Sequence, residues 1–210
     1  MYKEILPENG LKNIETLDNN ELLYNFYLAG GTGLALQLGH RKSIDFYFFS
    51  IQSFNTNNHI NMLQNCGEFK LLNEAKGTVT GIFNGIKISF FHYNYPLLWD
   101  LKRFRNIKVA SPKEIGLMKF TAIAGRGTKK DFIDLYWIGT TICALTELFS
   151  CFDKKYGSTY NLYHILKSLI YFEDADKDKN PKMLEPVDWI EIKEFFIKEE
   201  EKIFNKFYKK

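Results

Sequence analysis

The segment LAGGTGLALQLGHRKSIDFYFFS, residues 28–50, constrains the fold more than any other part of the chain. The apolar run that leads into it, LLYNFYLAG, stops at a double glycine, as a buried strand does before a turn. Leu34 and Leu38 then recur at helical spacing, and Gly39 is placed to end that helix. The run SIDFYFFS follows as a second strand. This order of strand, turn, helix and strand predicts a small α/β unit.

Two further patterns organise the rest of the chain. The run TVTGIFNGIKISFFHY places an Asn-Gly pair, residues 84–85, between two β-rich segments, which predicts a hairpin with a tight type I′ turn. Ser111 and Pro112 are a typical cap and first-turn pair, and apolar residues at helical spacing dominate beyond them. We therefore expect an α/β part over residues 1–110 and a helical part over residues 111–210, packed as one compact unit.

The composition narrows the class of protein. Hydrophobic residues make up 45% and charged residues 25% of the 210 residues, which is typical of a soluble globular protein. The net charge of +3 is too small to indicate nucleic-acid binding by itself, so such binding would need a local basic patch. The three cysteines lack metal-type spacing, and no apolar run approaches the ~18–20 residues of a membrane helix. We therefore expect a cytoplasmic protein with reduced thiols and no membrane segment.

The glycine turn allows two interpretations. Gly30, Gly31 and Thr32 stand between a strand and a helix, where a backbone without side chains can approach a ligand closely. The N-terminus of the helix also favours phosphate oxygens. Thr32 is in addition placed to cap the helix. The alternative interpretation is a tight turn with a purely structural role.

Asp45 and Tyr47 lie two residues apart on the predicted second strand, so their side chains point the same way about 6.6 Å apart along the chain. Paired carboxylates in this arrangement are typical of a Mg²⁺ site, because a cation relieves their mutual repulsion. Only Asp45 is acidic here. The alternative interpretation pairs Asp45 with Arg41 or Lys42 and treats Tyr47 as a half-buried strand residue.

A third group of charged residues lies in the helical part. Lys119 and Arg126 are seven residues apart, so a helix that continues through both places them on one face, where two cations can hold a triphosphate. Asp134 lies in an apolar run and needs a buried partner, which either cation can supply. The structural alternative for Asp131 is a capping box with Thr128.

Together these segments resemble the AbiEii/AbiGii toxin family of nucleotidyltransferase-fold proteins over most of the chain. FYLAGGTGLALQLGHRKSIDFYFFS resembles the opening motif of the family, and MKFTAIAGRGTKKDFIDLYWI resembles its later basic–acidic motif. YFEDADKDKNPKMLEPVDWIEIKEFF is similar to the ending of many members. The resemblance implies an α+β protein with a polymerase-β-like nucleotidyltransferase fold, which is a small mixed sheet with helices, followed by a helical C-terminal part.

The resemblance also implies a role in a toxin–antitoxin or abortive-infection system. The toxin in such a system transfers a nucleotide from an NTP, with Mg²⁺, to a tRNA end or a protein side chain, and an antitoxin protein is its partner. Matched onto the opening motif, residues 30–32 hold the phosphates of the nucleotide and Asp45 is the first metal-binding aspartate. Tyr47 stands at the second aspartate position and departs from it. The third carboxylate is expected on a neighbouring strand, where Ser89 is the nearest match.

In the later motif, the resemblance assigns Lys119 and Arg126 to neutralising the charge of the triphosphate. Asp134 would orient these cations or assist as a base, and Lys130 stands where a second arginine is common. Because a two-metal site draws on about three carboxylates and only one can be placed, we expect weak Mg²⁺ binding. Two functions follow: a toxin-like nucleotidyltransferase that is impaired at its metal site, or a catalytically degenerate module that only binds. Whether Mg²⁺ tightens NTP binding separates them.

Overall fold

The computed structural model describes residues 1–209, and the chain divides into two compact units. Unit 1 comprises Met1–Pro96 and Asp100–Ser111. Unit 2 comprises Leu97–Trp99 and the chain from Pro112 onward. Among the described residues, no helix combines the length and the apolar character that a membrane span requires.

Unit 1 consists of a sheet and the helices that cover one of its faces. Its strands are β1 (Tyr27–Ala29), β2 (Phe46–Ser50), β3 (Phe69–Ala75), β4 (Thr78–Phe83), β5 (Ile86–His92), β6 (Lys102–Phe104) and β7 (Ile107–Val109). Its helices are α1 (Gly10–Asn19), α2 (Gly30–Leu38) and α3 (Thr56–Cys66), preceded by a 3₁₀ turn at Lys3–Ile5.

The strands form a single mixed sheet in the order β3-β4-β5-β2-β1-β7-β6. The pairs β2–β5 and β1–β7 are parallel, whereas the other neighbours are antiparallel. The parallel pair β2–β5 needs a crossover connection, and α3 lies in it together with β3 and β4. Helix α2 instead connects the antiparallel neighbours β1 and β2. The combination of a mixed sheet and helices confirms the predicted α+β class.

The sheet has one buried face and one partly exposed face. Phe46 and Phe48 of β2 are at most 1% exposed and belong to the core cluster, which also includes residues of α1, α2 and α3. We call this side the core face. The alternate residues Tyr47 and Phe49 are half-buried and point to the opposite side, which we call the outer face. Phe91 of β5 pairs in register with Phe49 and lies on the same outer face.

Local turn chemistry explains where the strands begin and end. The predicted hairpin is confirmed, since β4 and β5 pair and the connecting Asn84 and Gly85 have φ of 44° and 82°, as a type I′ turn requires. The expected first strand is shorter than its apolar run, because β1 begins only at Tyr27. The preceding residues form turns instead, with hydrogen bonds from the Leu22 amide to Leu17 O and from the Phe26 amide to Leu23 O.

Unit 2 is helical, as the periodicity beyond Ser111 predicts. Its helices are α4 (Pro112–Arg126), α5 (Lys129–Thr141), α6 (Leu145–Ser150), α7 (Phe152–Tyr156), α8 (Leu162–Ser168), α9 (Glu173–Lys177) and α10 (Trp189–Phe207), with a 3₁₀ turn at Gly157–Thr159. Its interior is rich in aromatic side chains: Phe120, Phe132, Phe152 and Phe196 are each 0% exposed. Large rings bury much apolar area per residue, and they pack together with buried leucine and isoleucine side chains of the same helices.

Candidate nucleotide site

The glycine turn of unit 1 has a conformation and a packing that favour glycine. Gly30 begins α2 with a φ of +62°, in the left-handed region. A Cβ atom at this position would lie 3.4 Å from Cδ2 of Tyr47, so the turn runs directly against that ring. Gly31 follows in the first turn of α2, where backbone N–H groups have no acceptor within the helix. These N–H groups and the helix dipole make the turn suitable for an anion such as phosphate.

Thr32 fixes the position of Asp45 from inside α2. Its side chain is 0% exposed, and its Oγ1 lies 2.5 Å from the backbone oxygen of Asp45 and 2.7 Å from Oγ of Ser43. A hydroxyl has one proton, so Thr32 donates to the carbonyl and accepts from Ser43. The expectation that Thr32 caps the helix is wrong, because α2 begins two residues earlier with Ala29 as its N-cap. Its role is to tie the glycine turn to the segment before β2.

Asp45, Tyr47 and Ser89 occupy adjacent positions at one edge of the outer face. Asp45 is half-buried just before β2, and the phenolic oxygen of Tyr47 lies 3.5 Å from its Oδ2, at the limit of a hydrogen bond. Tyr47 pairs in register with Ser89 of β5. Ser89 is 1% exposed, and its Oγ lies 3.1 Å from Oγ1 of Thr80 on β4. Sequence reasoning named Ser89 as the nearest match to a third acid, and the register brings it beside Tyr47.

The oxygen atoms at these three positions are one carboxylate, one phenol and one hydroxyl. Mg²⁺ prefers carboxylates, phosphates and water, and a two-metal centre draws on about three carboxylates. This set of side chains does not fit a two-metal centre. Within residues 1–209, no cluster of three or more His, Cys, Asp or Glu side chains is placed to hold a metal ion. Asp45 is therefore the one carboxylate that the predicted metal position offers.

The predicted charged group of unit 2 forms a buried ion cluster. Lys119 of α4, with a side chain 5% exposed, lies between two acids of α5: its Nζ is 2.8 Å from Oδ1 of Asp131 and 2.6 Å from Oδ2 of Asp134. Both carboxylate side chains are 0% exposed. Asp134 thus has the buried partner that its apolar surroundings require. The cluster joins α4 to α5, and its ammonium group is held by carboxylates.

Arg126 and Thr128 complete the contacts of Asp131. Arg126 donates from Nε to Oδ2 at 2.8 Å and from Nη2 to Oδ1 at 2.9 Å, and Thr128 donates to Oδ2 at 2.6 Å. Burial alone would raise the pKa of Asp131, but the charges of Lys119 and Arg126 and their hydrogen bonds hold it well below its usual range. The predicted capping box does not form, because the Thr128 hydroxyl donates to the carboxylate instead of accepting from the helix.

The three other cations of this region differ in exposure. The side chain of Arg126 is 58% exposed, so its guanidinium can meet an anion while it holds Asp131. Lys130 is exposed on the first turn of α5. Its neighbour Lys129 is buried, and its Nζ donates to the backbone oxygen of Asp178 at 2.7 Å. Arg126 and Lys130 are therefore the exposed cations of the later motif.

Sequence reasoning missed a second buried ion pair in unit 2. Lys155 of α7 and Glu114 of α4 have side chains that are 0% exposed, and the lysine donates to the carboxylate. The other oxygen of Glu114 accepts from the backbone N–H of Leu98 at 2.9 Å. Burial lowers the pKa of Lys155, and Glu114 opposes that shift. The partners are 41 residues apart, and no local pattern in the sequence signals the contact.

The profile of a family described as nucleotidyl transferase AbiEii toxin, type IV TA system, matches residues 87–209. An uncharacterized protein of Aquifex aeolicus (strain VF5) is 41% identical over 180 residues, which covers 82% of this chain and 84% of that protein.

Three solved structures share the fold. A putative nucleotidyltransferase from H. pylori has a TM-score of 0.55 at 15% identity and covers 95% of this chain and 96% of its own. JHP933 from Helicobacter pylori gives a TM-score of 0.55 at 15% identity, with 96% of each chain covered. MenT4, a nucleotidyltransferase toxin from Mycobacterium tuberculosis H37Rv, has a TM-score of 0.50 at 13% identity and covers 89% and 81%. The predicted nucleotidyltransferase fold is confirmed, and since the family profile spans more than half of the sequence, the chain belongs to the AbiEii nucleotidyltransferase toxin family.

Proposed function

We propose that this protein is a toxin-like nucleotidyltransferase that has kept its nucleotide-binding turn and is impaired in transfer. The observation that carries the proposal is the pairing of Tyr47 with Ser89 beside Asp45. Two neutral oxygens stand where the family motif leads us to expect carboxylates. The neighbouring turn keeps its glycine conformation and its N–H groups, which suit a phosphate.

The proposed roles follow from exposure and charge. Gly30, Gly31 and Thr32 bind the phosphates of an NTP or position the groups that do, and Asp45 is the metal ligand that remains. In unit 2, Arg126 and Lys130 contact anions from their exposed positions. Lys119 and Asp134 orient this part of α4 and α5 from the interior. In this reading, Mg²⁺ affinity is low because a single carboxylate supplies the site.

The acceptor and the biological partner are also part of the proposal. The acceptor is the end of a tRNA or another RNA, or a protein side chain, as in the family that the sequence resembles. The family description names a type IV toxin–antitoxin system, which supports an antitoxin protein as a partner and action in the cytoplasm.

The substitution Tyr47→Asp tests the proposal. It restores two carboxylates on one strand face, so Mg²⁺ affinity should rise and transfer of a labelled nucleotide to RNA or protein should increase or appear. A neutral phenol, with an ordinary pKa of about 10, cannot supply that charge near neutral pH. Isothermal titration of Mg²⁺ and NTP, together with a labelled-NTP assay, measures both effects. Tyr47→Phe is the matched control, because it keeps the ring without adding a carboxylate.

Two outcomes of this experiment would change the proposal. Tight Mg²⁺–NTP binding and rapid transfer by the wild type, with no gain in Tyr47→Asp, would refute the assignment of the metal position. Metal binding that returns without transfer would favour the alternative function, a degenerate binding module that keeps the fold. Addition of Ser89→Asp to Tyr47→Asp then shows whether the third acid position is also needed.

A further inference from the structure

A hairpin at one edge of the sheet is strongly basic. It is formed by β6 and β7, and residues 102–109 contain four cations and no acid, in a chain whose net charge is only +3. We call this segment the basic hairpin. Its cations are Lys102, Arg103, Arg105 and Lys108. A chain of low net charge therefore presents a local basic patch at this edge.

Two of these cations lie directly opposite each other. Arg103 of β6 pairs in register with Lys108 of β7, so their side chains leave the same face of the hairpin. Lys108 also pairs with Tyr27 of β1, which in turn pairs with Phe49, so this face is the outer face of the sheet. Like charges in directly opposed positions destabilise an antiparallel pair. An anion beside both side chains would remove that destabilisation.

The opposed cations have no acidic partner in the part of the chain that the structure describes. Among residues 1–209, no carboxylate forms an ion pair with Arg103 or Lys108, whereas Arg105 at the turn pairs with Glu15. Arg103 is exposed, and its guanidinium has no hydrogen-bond acceptor among the same residues. Lys108 uses one of its three N–H donors, to Tyr24 O at 2.8 Å, which leaves two for a ligand.

Protection of the sheet edge does not account for both cations. Charged side chains on an edge strand prevent it from pairing with another chain, and β6 is one edge of this sheet. That explains Lys102 and Arg103. Strand β7 is paired on both sides, with β1 and β6, so Lys108 protects no edge. The opposed pair therefore needs a different explanation, and an anionic ligand supplies one.

An exposed aromatic ring lies beside Lys108. Tyr24 is 75% exposed, and the Lys108 ammonium lies 5.5 Å from its ring centroid. Within residues 1–209 no other ring packs against Tyr24, whereas Phe49 and Phe91 are stacked on each other. Cations that hold phosphates and an aromatic face that accepts a base are the two elements of single-strand recognition. An acidic peptide would use the cations and leave the ring without a partner.

We infer that the basic hairpin and Tyr24 bind a single strand of RNA, with backbone phosphates at Arg103 and Lys108 and a base against Tyr24. The guanidinium can hold two phosphate oxygens at once, and the ammonium adds a point charge. Strand β7 is two strand spacings, about 10 Å, from β2, so this site lies beside the proposed nucleotide site and not in it. The inference rests on the proposed function only in naming RNA as the source of the strand.

Fluorescence anisotropy with a labelled single-stranded RNA of about ten nucleotides, in EDTA and without NTP, tests the inference. Arg103→Gln and Lys108→Gln should each reduce the slope of log Kd against log salt concentration by about 0.7, the value for one phosphate contact in a single strand. The weakening that each causes should therefore be about 8-fold larger at 50 mM salt than at 1 M. Tyr24→Ala should weaken binding about 5- to 150-fold with an unchanged slope, because it removes a stacked base and no charge.

The matched controls carry the same chemistry elsewhere. Lys70 is an exposed lysine on β3, the opposite edge of the same sheet, and Lys70→Gln should keep the slope of the wild type. Tyr171 is 55% exposed in unit 2, and Tyr171→Ala should keep the affinity of the wild type. If Lys108→Gln fails to fold, the exposed positions Arg103 and Tyr24 decide the question.

Unchanged slope and affinity in Arg103→Gln and Tyr24→Ala would overturn the inference. Competition by polyglutamate as effective as that by unlabelled RNA of equal charge would also overturn it, because the hairpin would then accept any polyanion, including an acidic protein. Tighter binding of a DNA strand of the same sequence would overturn the assignment to RNA. NTP binding is titrated separately: a wild type that binds RNA but no NTP refutes the proposed nucleotide site and supports this inference.

Discussion

Replacing Lys119 with methionine tests whether the buried ion cluster of unit 2 supports the fold. Lys119 Nζ contacts Oδ1 of Asp131 at 2.8 Å and Oδ2 of Asp134 at 2.6 Å, and both acids are 0% exposed. Methionine fills a similar volume without charge, so Asp131 and Asp134 both lose the ammonium group that lies between them. Asp131 keeps its contacts with Arg126 and Thr128, so the loss falls mainly on Asp134.

Removal of one partner from a buried ion pair costs about 3–5 kcal/mol of unfolding free energy, because the remaining charge stays buried. For a chain of this length each kcal/mol lowers the melting temperature by roughly 2–4 °C, so the expected fall is about 6–20 °C. Urea titration and thermal melting at pH 7, followed by circular dichroism, measure both quantities. Lys130→Met is the matched control: Lys130 is exposed, and the change should stay within about 0.5 kcal/mol.

Acid titration adds an independent readout of the same cluster. The pKa of Asp131 is held below its usual range, so the stability that the cluster contributes is present above the unfolded pKa, near 3.9, and is lost as the pH falls below it. The difference between wild type and Lys119→Met should therefore be large at pH 7 and smaller near pH 3. A loss under about 1 kcal/mol at pH 7, together with a collapse of NTP binding, would refute the argument and make Lys119 a ligand-binding cation.

Two further predictions concern backbone strain at Gly30 and the burial of His59, both in unit 1. Gly30→Ala places a side chain at a φ of +62° and should lower the free energy of unfolding by about 1–2 kcal/mol in a thermal melt. Gly125→Ala is the control: it lies in a helix with open space around it and should stabilise the protein slightly. Equal effects of the two substitutions would refute the strain argument. Burial lowers the pKa of His59 to about 4. Below pH 6.5 the unfolded chain binds a proton at this histidine and the folded chain does not, so the free energy of unfolding should fall by up to about 3 kcal/mol between pH 6.5 and pH 4. His59→Phe, which keeps a ring against Phe90, should flatten the stability profile between those pH values, and an unchanged slope would contradict this assignment.

Local signals in the sequence are sufficient for the central elements of the fold. The glycine turn, the helix after it and the Asn84-Gly85 hairpin each depend on residues that are close together in the chain. Strands β6 and β7 are not predictable in this way. Each has three residues, and β7 is a strand because it pairs with β1 about 80 residues away, so only tertiary structure distinguishes it from a loop.

The candidate site shows the same division between local and long-range information. The spacing of Asp45 and Tyr47 predicts their shared face, and the structure adds that Ser89 of a parallel neighbour lies beside them. The prediction that Thr32 caps the helix is wrong, because the helix begins at Gly30, two residues before Thr32. A threonine inside a first turn can reach a neighbouring segment as easily as its own backbone, and the sequence contains no signal that decides between the two.

The extent of the family match bears on which chemistry can be carried over to this chain. The matched residues, 87–209, contain Ser89 and the cluster of Lys119, Arg126 and Asp134, but they do not contain the glycine turn, Asp45 or Tyr47. The family resemblance is therefore best supported where the residues are held in buried ion pairs that stabilise helices. It is least supported at the glycine turn and Asp45, where we propose that the nucleotide binds. Because Tyr47 and Ser89 are neutral at two of the three positions where acids are expected, we propose that the charge at position 47 decides between transfer and binding.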